Sequence, residues 1–179
     1  MTDTARPAPA DDAQLAADEG WLLASLRMVA RDRDGWVHGT PASLLLAHGR
    51  LFTPSPWPDG DPPGEPGRCF IEALSWACES DGALAYVEGV AAADLWREEP
   101  HAWCAGADGT ALDPTWPELG RAYLGLPVRA DTARHIMGEN GGPLLFAAGG
   151  LISPAAERWM RDGLPAGLLV DIGRPVPRN

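Results

Sequence analysis

The sequence predicts an α+β domain in which N-terminal helices are followed by an antiparallel sheet packed on a cysteine-bearing helix. Three observations carry this expectation. The first third of the chain holds two segments with helix-start signals and apolar residues at helical spacing. Short apolar runs bounded by turn residues crowd between residues 84 and 128. Between these regions lies CFIEALSWACES, a segment of good helix formers that opens on Cys69. At 179 residues the chain is one domain by size and long enough to bury a substantial core. Residues 1–10, rich in Pro, Ala and Asp, are expected to be a disordered lead, and residues 11–179 a single domain.

Each element has a local reason. Asp11 or Asp12 can cap a helix whose apolar positions Leu15, Leu22, Leu26 and Val29 continue to the stop at Asp34-Gly35. Thr40 followed by Pro41 reads as an N-cap with proline at the first helical position, opening ASLLLAH, which ends at Gly49. Residues 53–68, TPSPWPDGDPPGEPGR, carry six prolines and are expected to be a long loop, neither helix nor central strand. The helix opened by Cys69 carries Phe70, Leu74 and Ala77 on one stripe and stops at Asp81-Gly82. ALAYVEGV, HAWCA, TALDPTW and AYLGLPV then read as strands, the middle two joined by a turn. DTARHIMGEN is expected to be helical, PLLFAA a buried strand, and SPAAERWMRDG a helix capped by Ser153 with Pro154 next. The tail DIGRPVPRN is expected to be loose.

Composition narrows the partners. A net charge of -11, with no basic run, disfavours a phosphate backbone or an anionic membrane surface, both of which need clustered cations. Neither a nucleic acid nor a membrane is therefore expected as a partner. The N-terminus shows no basic leader or apolar signal segment, and no run approaches a membrane span. Three cysteines without small-scaffold spacing fit a reducing compartment, so the expected location is cytoplasmic.

The chemistry concentrates in GRCFIEA and in PHAWCAGADGTALDPTW, residues 100–116. A cysteine at a helix start lies beside unpaired backbone N–H groups and the positive end of the macrodipole, both of which favour a thiolate. Cys69 holds that position, whereas Cys78 falls on the other side of the helix near its negative end. Whether His101 and Asp113 share a face depends on the hairpin between them. A two-residue turn at Asp108-Gly109 pairs Cys104 with Asp113 and separates the two. A three-residue loop, Ala107-Asp108-Gly109, with Gly109 left-handed, pairs Trp103 with Asp113 and leaves His101 diagonal to the carboxylate on one face. Both registers fit the sequence, and the x-Asp-Gly pattern suits the second.

The order GRCFIEA, YVEG, HAW and DGTALDPTW resembles the core of transglutaminase-like cysteine enzymes, in which a cysteine starts a helix and histidine and aspartate follow on successive strands. The resemblance covers residues 67–127. It implies a papain-like fold with Cys69 as nucleophile, His101 as base and Asp113 as the group that orients the imidazole. It also implies covalent thioester chemistry on a peptide or small amide or acyl substrate, without a cofactor or metal. The stretch ESDGALAYVEG replaces an arginine-bearing loop of many members, and no glutamine follows Gln14 to act as an oxyanion donor. Trp57 in the proline-rich loop is a candidate for that role, and Trp103, like Trp116, a candidate for lining an acyl groove.

Other readings use the same residues. RCF is similar to the cysteine motif of arylamine N-acetyltransferases, and a non-catalytic descendant of the fold would bind a peptide or partner protein instead. A structural zinc site needs four ligands, and no CxxC or HxxxH pair supplies them. Glu88 reads as a solvated strand carboxylate.

Overall fold

The computed structural model describes residues 11–58, 60–94, 97–147 and 151–178; the N-terminal lead expected over residues 1–10 lies outside them. The architecture is mixed α+β. Its elements run α1 (Asp12–Val29), α2 (Pro41–His48), β1 (Arg50–Ser55), α3 (Cys69–Glu79), β2 (Leu84–Asp94), β3 (Arg97–Gly106), β4 (Thr110–Leu112), β5 (Ala122–Val128), α4 (Ala130–Asn140), α5 (Pro154–Asp162) and β6 (Arg174–Pro175).

Local signals account for three of the five helix starts among the described residues. Asp11 accepts from the Gln14 N–H at the start of α1, Thr40 and Ser43 form a capping box at α2, and Ser153 accepts from the Ala156 N–H at α5. Helix α1 ends at Val29, the last residue of its apolar series, and before the stop expected at Asp34-Gly35; the Arg31 guanidinium donates to the carbonyls of Met28 and Ala30 and closes the C-terminus. Val29 is exposed and lies outside the core.

The sheet order is β4-β3-β2-β5-β1-β6, and β4 also pairs with β1, so five strands close into a small ring with β6 appended to β1. All pairings are antiparallel except β1 with β4, which is parallel. The ring has two environments. Phe52, Val87, Ala91, Trp103, Ala105, Ala111 and Tyr123 form one cluster. The alternate residues of the same strands, among them Tyr86, Val90, Ala102, Cys104 and Leu124, join the main core with the helices. At Gly89 and Gly125, paired across β2 and β5, the backbones approach closely. A Cβ on Gly89 would lie 2.1 Å from the Leu124 carbonyl oxygen.

Several expectations need correction. The proline-rich segment begins as strand β1, which sits inside the sheet. Thr53 donates its N–H to Gly109 on the β4 side, so the missing N–H of Pro54 faces the other way, where pairing with β5 has already ended at Phe52. TALDPTW is a strand only through Leu112. Of PLLFAA, the described residues 143–147 make only a single bridge, Phe146 with Ile152; Leu144 and Leu145 are buried, but their backbone N–H groups turn to the Glu88 carboxylate. Nor is the tail loose throughout: Arg174 pairs with Leu51 in the sheet and forms an ion pair with Glu19.

Candidate active site

The hairpin adopts the three-residue register. Cys104 pairs with Leu112 and Ala105 with Ala111, and Gly109 has φ 81°, the left-handed conformation that closes this loop. Strand β4 ends at Leu112, so beyond Cys104 that edge of β3 has no strand neighbour and the chain turns away at Asp113. His101 lies along this uncovered edge, with its Nε2 2.6 Å from Asp113 Oδ2. The Cys69 sulfur, at the first residue of α3, lies near enough to act on the imidazole electrostatically. With Nε2 committed to the carboxylate, Nδ1 is the ring nitrogen left for sulfur.

Asp113 is held from every side. Its Oδ1 accepts from the Thr115 N–H at 2.9 Å, the Thr115 hydroxyl at 3.0 Å and the Trp116 N–H at 3.1 Å. Its Oδ2 accepts from the Tyr123 hydroxyl at 3.1 Å as well as from His101. Tyr123 is itself oriented by the Gly120 N–H, which donates to its oxygen at 3.2 Å. The ring of Trp116 stacks on His101 with centroids 4.1 Å apart.

Burial by itself would drive the His101 pKa down, but the Asp113 hydrogen bond and the Cys69 contact overcome it and raise the value to about 9. The Asp113 pKa moves the other way. Burial opposes that shift, and the hydrogen bond and charge of His101, with the N–H groups of Thr115 and Trp116, bring it below the usual carboxylate range. His101 is therefore an imidazolium beside sulfur at neutral pH. Cys104 is the opposite case: buried on the α3 side, it donates to the Ala73 carbonyl, and its thiol is pushed up to about 12, chiefly by burial.

The start of α3 differs from those of α1, α2 and α5 in having no side-chain cap. Arg68 precedes the helix without capping it. Ile71 and Glu72 donate to the Arg68 carbonyl, which leaves the N–H groups of Cys69 and Phe70 next to the sulfur, where an anion developing on a bound carbonyl would lie.

The other residues singled out from sequence sit apart. Trp57 packs edge-on against Trp76, ring centroids 5.2 Å apart, two turns along α3 from Cys69. Trp103 is fully buried inside the ring, 6.4 Å behind His101 by ring centroids, and its indole nitrogen has no partner among the described residues. The proline-rich segment is pinned to the Asp113 turn through the Gly64 N–H, which donates to the Pro114 carbonyl at 2.7 Å. Glu88 is not solvated. Completely buried, it accepts from the N–H groups of Leu144, Leu145 and Phe146 and from the Tyr86 hydroxyl, and its pKa rises to about 6 because burial outweighs these bonds. Tyr123 and the stacking role of Trp116 carry no sequence signal beyond their aromatic character.

Cys69 is 8% exposed and His101 3%, so the three groups meet beneath the surface. Two clefts, of about 520 Å³ and 600 Å³, lie elsewhere and include none of the three. Among the described residues, no group of three or more His, Cys, Asp or Glu side chains is placed to hold a metal ion, and no helix is long and apolar enough to cross a membrane. Comparisons with protein-family models, with curated proteins and with solved structures found no match.

Proposed function

We propose that this chain is a cysteine-dependent acyl-transfer enzyme with a transglutaminase-like, papain-type core, cleaving or forming an amide or peptide bond. One observation carries the reading: His101 is hydrogen-bonded to Asp113 and lies within electrostatic reach of Cys69 at an uncapped helix start. In the proposed cycle the Cys69 sulfur attacks a carbonyl carbon, and the carbonyl electron pair moves to oxygen beside the α3 N–H groups. As that pair returns, the C–N bond breaks and His101 delivers its proton to the departing amine, leaving a thioester. Water or an incoming amine then attacks the thioester, His101 takes the proton, and sulfur departs. Asp113 holds the imidazole orientation throughout, and Tyr123 and Thr115 hold Asp113. All three cysteines are free, which supports a reducing, cytoplasmic setting.

The burial of Cys69 favours one competing reading, a non-catalytic descendant that binds a peptide or a partner protein through the same face. Iodoacetamide labelling of each cysteine, followed by mass spectrometry from pH 5 to 9, separates the two. Catalytic poise predicts selective Cys69 labelling at pH 6 that collapses in His101→Ala, followed by thioester accumulation from activated acyl substrates. Slow Cys69 labelling that ignores the His101 substitution would remove the enzymatic reading.

A further inference from the structure

A cavity of about 520 Å³ lies where the C-terminal end of α3, the start of β2, the end of β3 and the start of α4 come together. Cys78, on its wall, is nine residues along α3 from Cys69, about 13 Å at the helical rise of ~1.5 Å per residue. The cavity is thus remote from the candidate active site. Six alanines line it: Ala77, Ala83, Ala85, Ala105, Ala107 and Ala130. Protein interiors and the junctions between elements normally close such space with larger side chains. Here small residues from α3, β2, β3, α4 and two loops all leave it open.

The rest of the lining limits what can fit. Leu84, Val170 and Ile172 add aliphatic surface, and no aromatic ring contributes, so there is nothing for a planar ligand to stack on. Arg129 and Arg134 supply the positive charge. Arg129 uses its Nε on Asp131 at 3.6 Å, an exposed and therefore weak pair, and Arg134 donates its Nε to the Cys78 sulfur at 3.2 Å. Among the described residues, the terminal nitrogens of both guanidiniums have no partner. Asp81 and Asp131 also line the cavity and roughly balance the two arginines, which disfavours a polyanion such as a nucleotide.

We propose that this cavity binds a small aliphatic carboxylate, its hydrocarbon chain against the alanine walls and its carboxylate between Arg129 and Arg134. The volume falls in the lower half of the range of small-molecule sites, about 300–1,000 Å³, and a planar two-oxygen anion matches the free ends of two guanidiniums. Binding here does not depend on Cys69 being a nucleophile.

Isothermal titration of octanoate and of its neutral counterpart octanamide into the full chain tests the proposal. Parent, Arg129→Ala and Ala83→Leu would be compared; both sites are at the surface, and melting curves verify the fold. We expect one octanoate per chain, bound about tenfold or more tighter than octanamide. Arg129→Ala should erase most of that preference, and Ala83→Leu should weaken both ligands. Saturating octanoate should also slow iodoacetamide labelling of Cys78 and leave Cys69 unchanged. Equal affinity for the acid and the amide, an absence of binding, or protection of Cys69 in place of Cys78 would overturn the assignment.

Discussion

Replacing Asp113 with asparagine keeps the shape of the side chain and removes the charge that governs His101. In the parent, burial alone would depress the imidazole; the Asp113 bond and Cys69 raise it from 6.5 to about 9. At about 1.4 kcal/mol per pKa unit, the folded state holds the His101 proton more tightly than the unfolded chain by about 3 kcal/mol. The folded value lies above the unfolded one, so this stabilisation is fully present below pH 6.5 and is lost as pH rises through about 9. In Asp113→Asn, burial should dominate and that gain should disappear. Urea unfolding from pH 5.5 to 10 would measure both proteins. The variant should be less stable at every pH, because one amide oxygen cannot satisfy the donors of Thr115, Trp116 and Tyr123. The deficit should shrink by about 3 kcal/mol between pH 6 and pH 9.5. His38 and His48, whose Nε2 atoms lie 3.0 Å apart, and Glu88 titrate in both proteins and cancel in the difference. A deficit independent of pH, or a His101 ring resonance titrating at the same pH in both proteins, would refute the coupling.

Other perturbations probe the supports around this pair. Tyr123→Phe removes a donor from Asp113 and leaves the buried Gly120 N–H without a partner, which should cost about 1–3 kcal/mol in urea unfolding. The same variant should raise the Asp113 pKa, since the carboxylate loses a bond that stabilises its charge. Glu88→Gln turns an amide NH₂ toward two of the four donors that the carboxylate now accepts, so it should cost more than about 2 kcal/mol and speed hydrogen exchange at Leu144–Phe146. Gly89→Ala drives a methyl into the Leu124 backbone and should destabilise by about 3 kcal/mol or more, seen as a loss of melting cooperativity or of soluble protein. An alanine variant with parent stability would mean that β2 and β5 are not so closely opposed.

Helices were the legible part of this fold because their determinants are local. Asp11, Thr40-Pro41 and Ser153-Pro154 announce their helices within four residues, and the structure places all three as caps. Strand β1 was hidden for the opposite reason. RLFTPS has a proline at its fifth position, and what makes Pro54 tolerable is the switch of partner from β5 to β4 at Thr53, a long-range arrangement with no local trace. The segment around PLLFAA fails similarly: its apolar pattern is real, but the partner for its N–H groups is the carboxylate of Glu88, more than fifty residues away. Arg31, by capping the carbonyls of Met28 and Ala30, ends α1 before the Asp-Gly pair that should have done so.

The candidate site divides along the same line. His101 and Asp113 were legible because strand parity and an x-Asp-Gly loop convert spacing into a shared face, and Cys69 because a helix start is recognisable in sequence. What holds them was not legible. Tyr123 reaches Asp113 only because β5 lies next to both β1 and β2, and Trp116 covers His101 only because the chain reverses at Pro114. The orienting shell is therefore a product of ring closure by β1 and β4, the parallel pairing that sequence periodicity cannot report. It follows that the strength of the His101–Asp113 coupling should depend on the integrity of the ring as much as on the two residues themselves. A loosened β1–β4 pairing would release the turn after Leu112 and, with it, the carboxylate that keeps the imidazole charged.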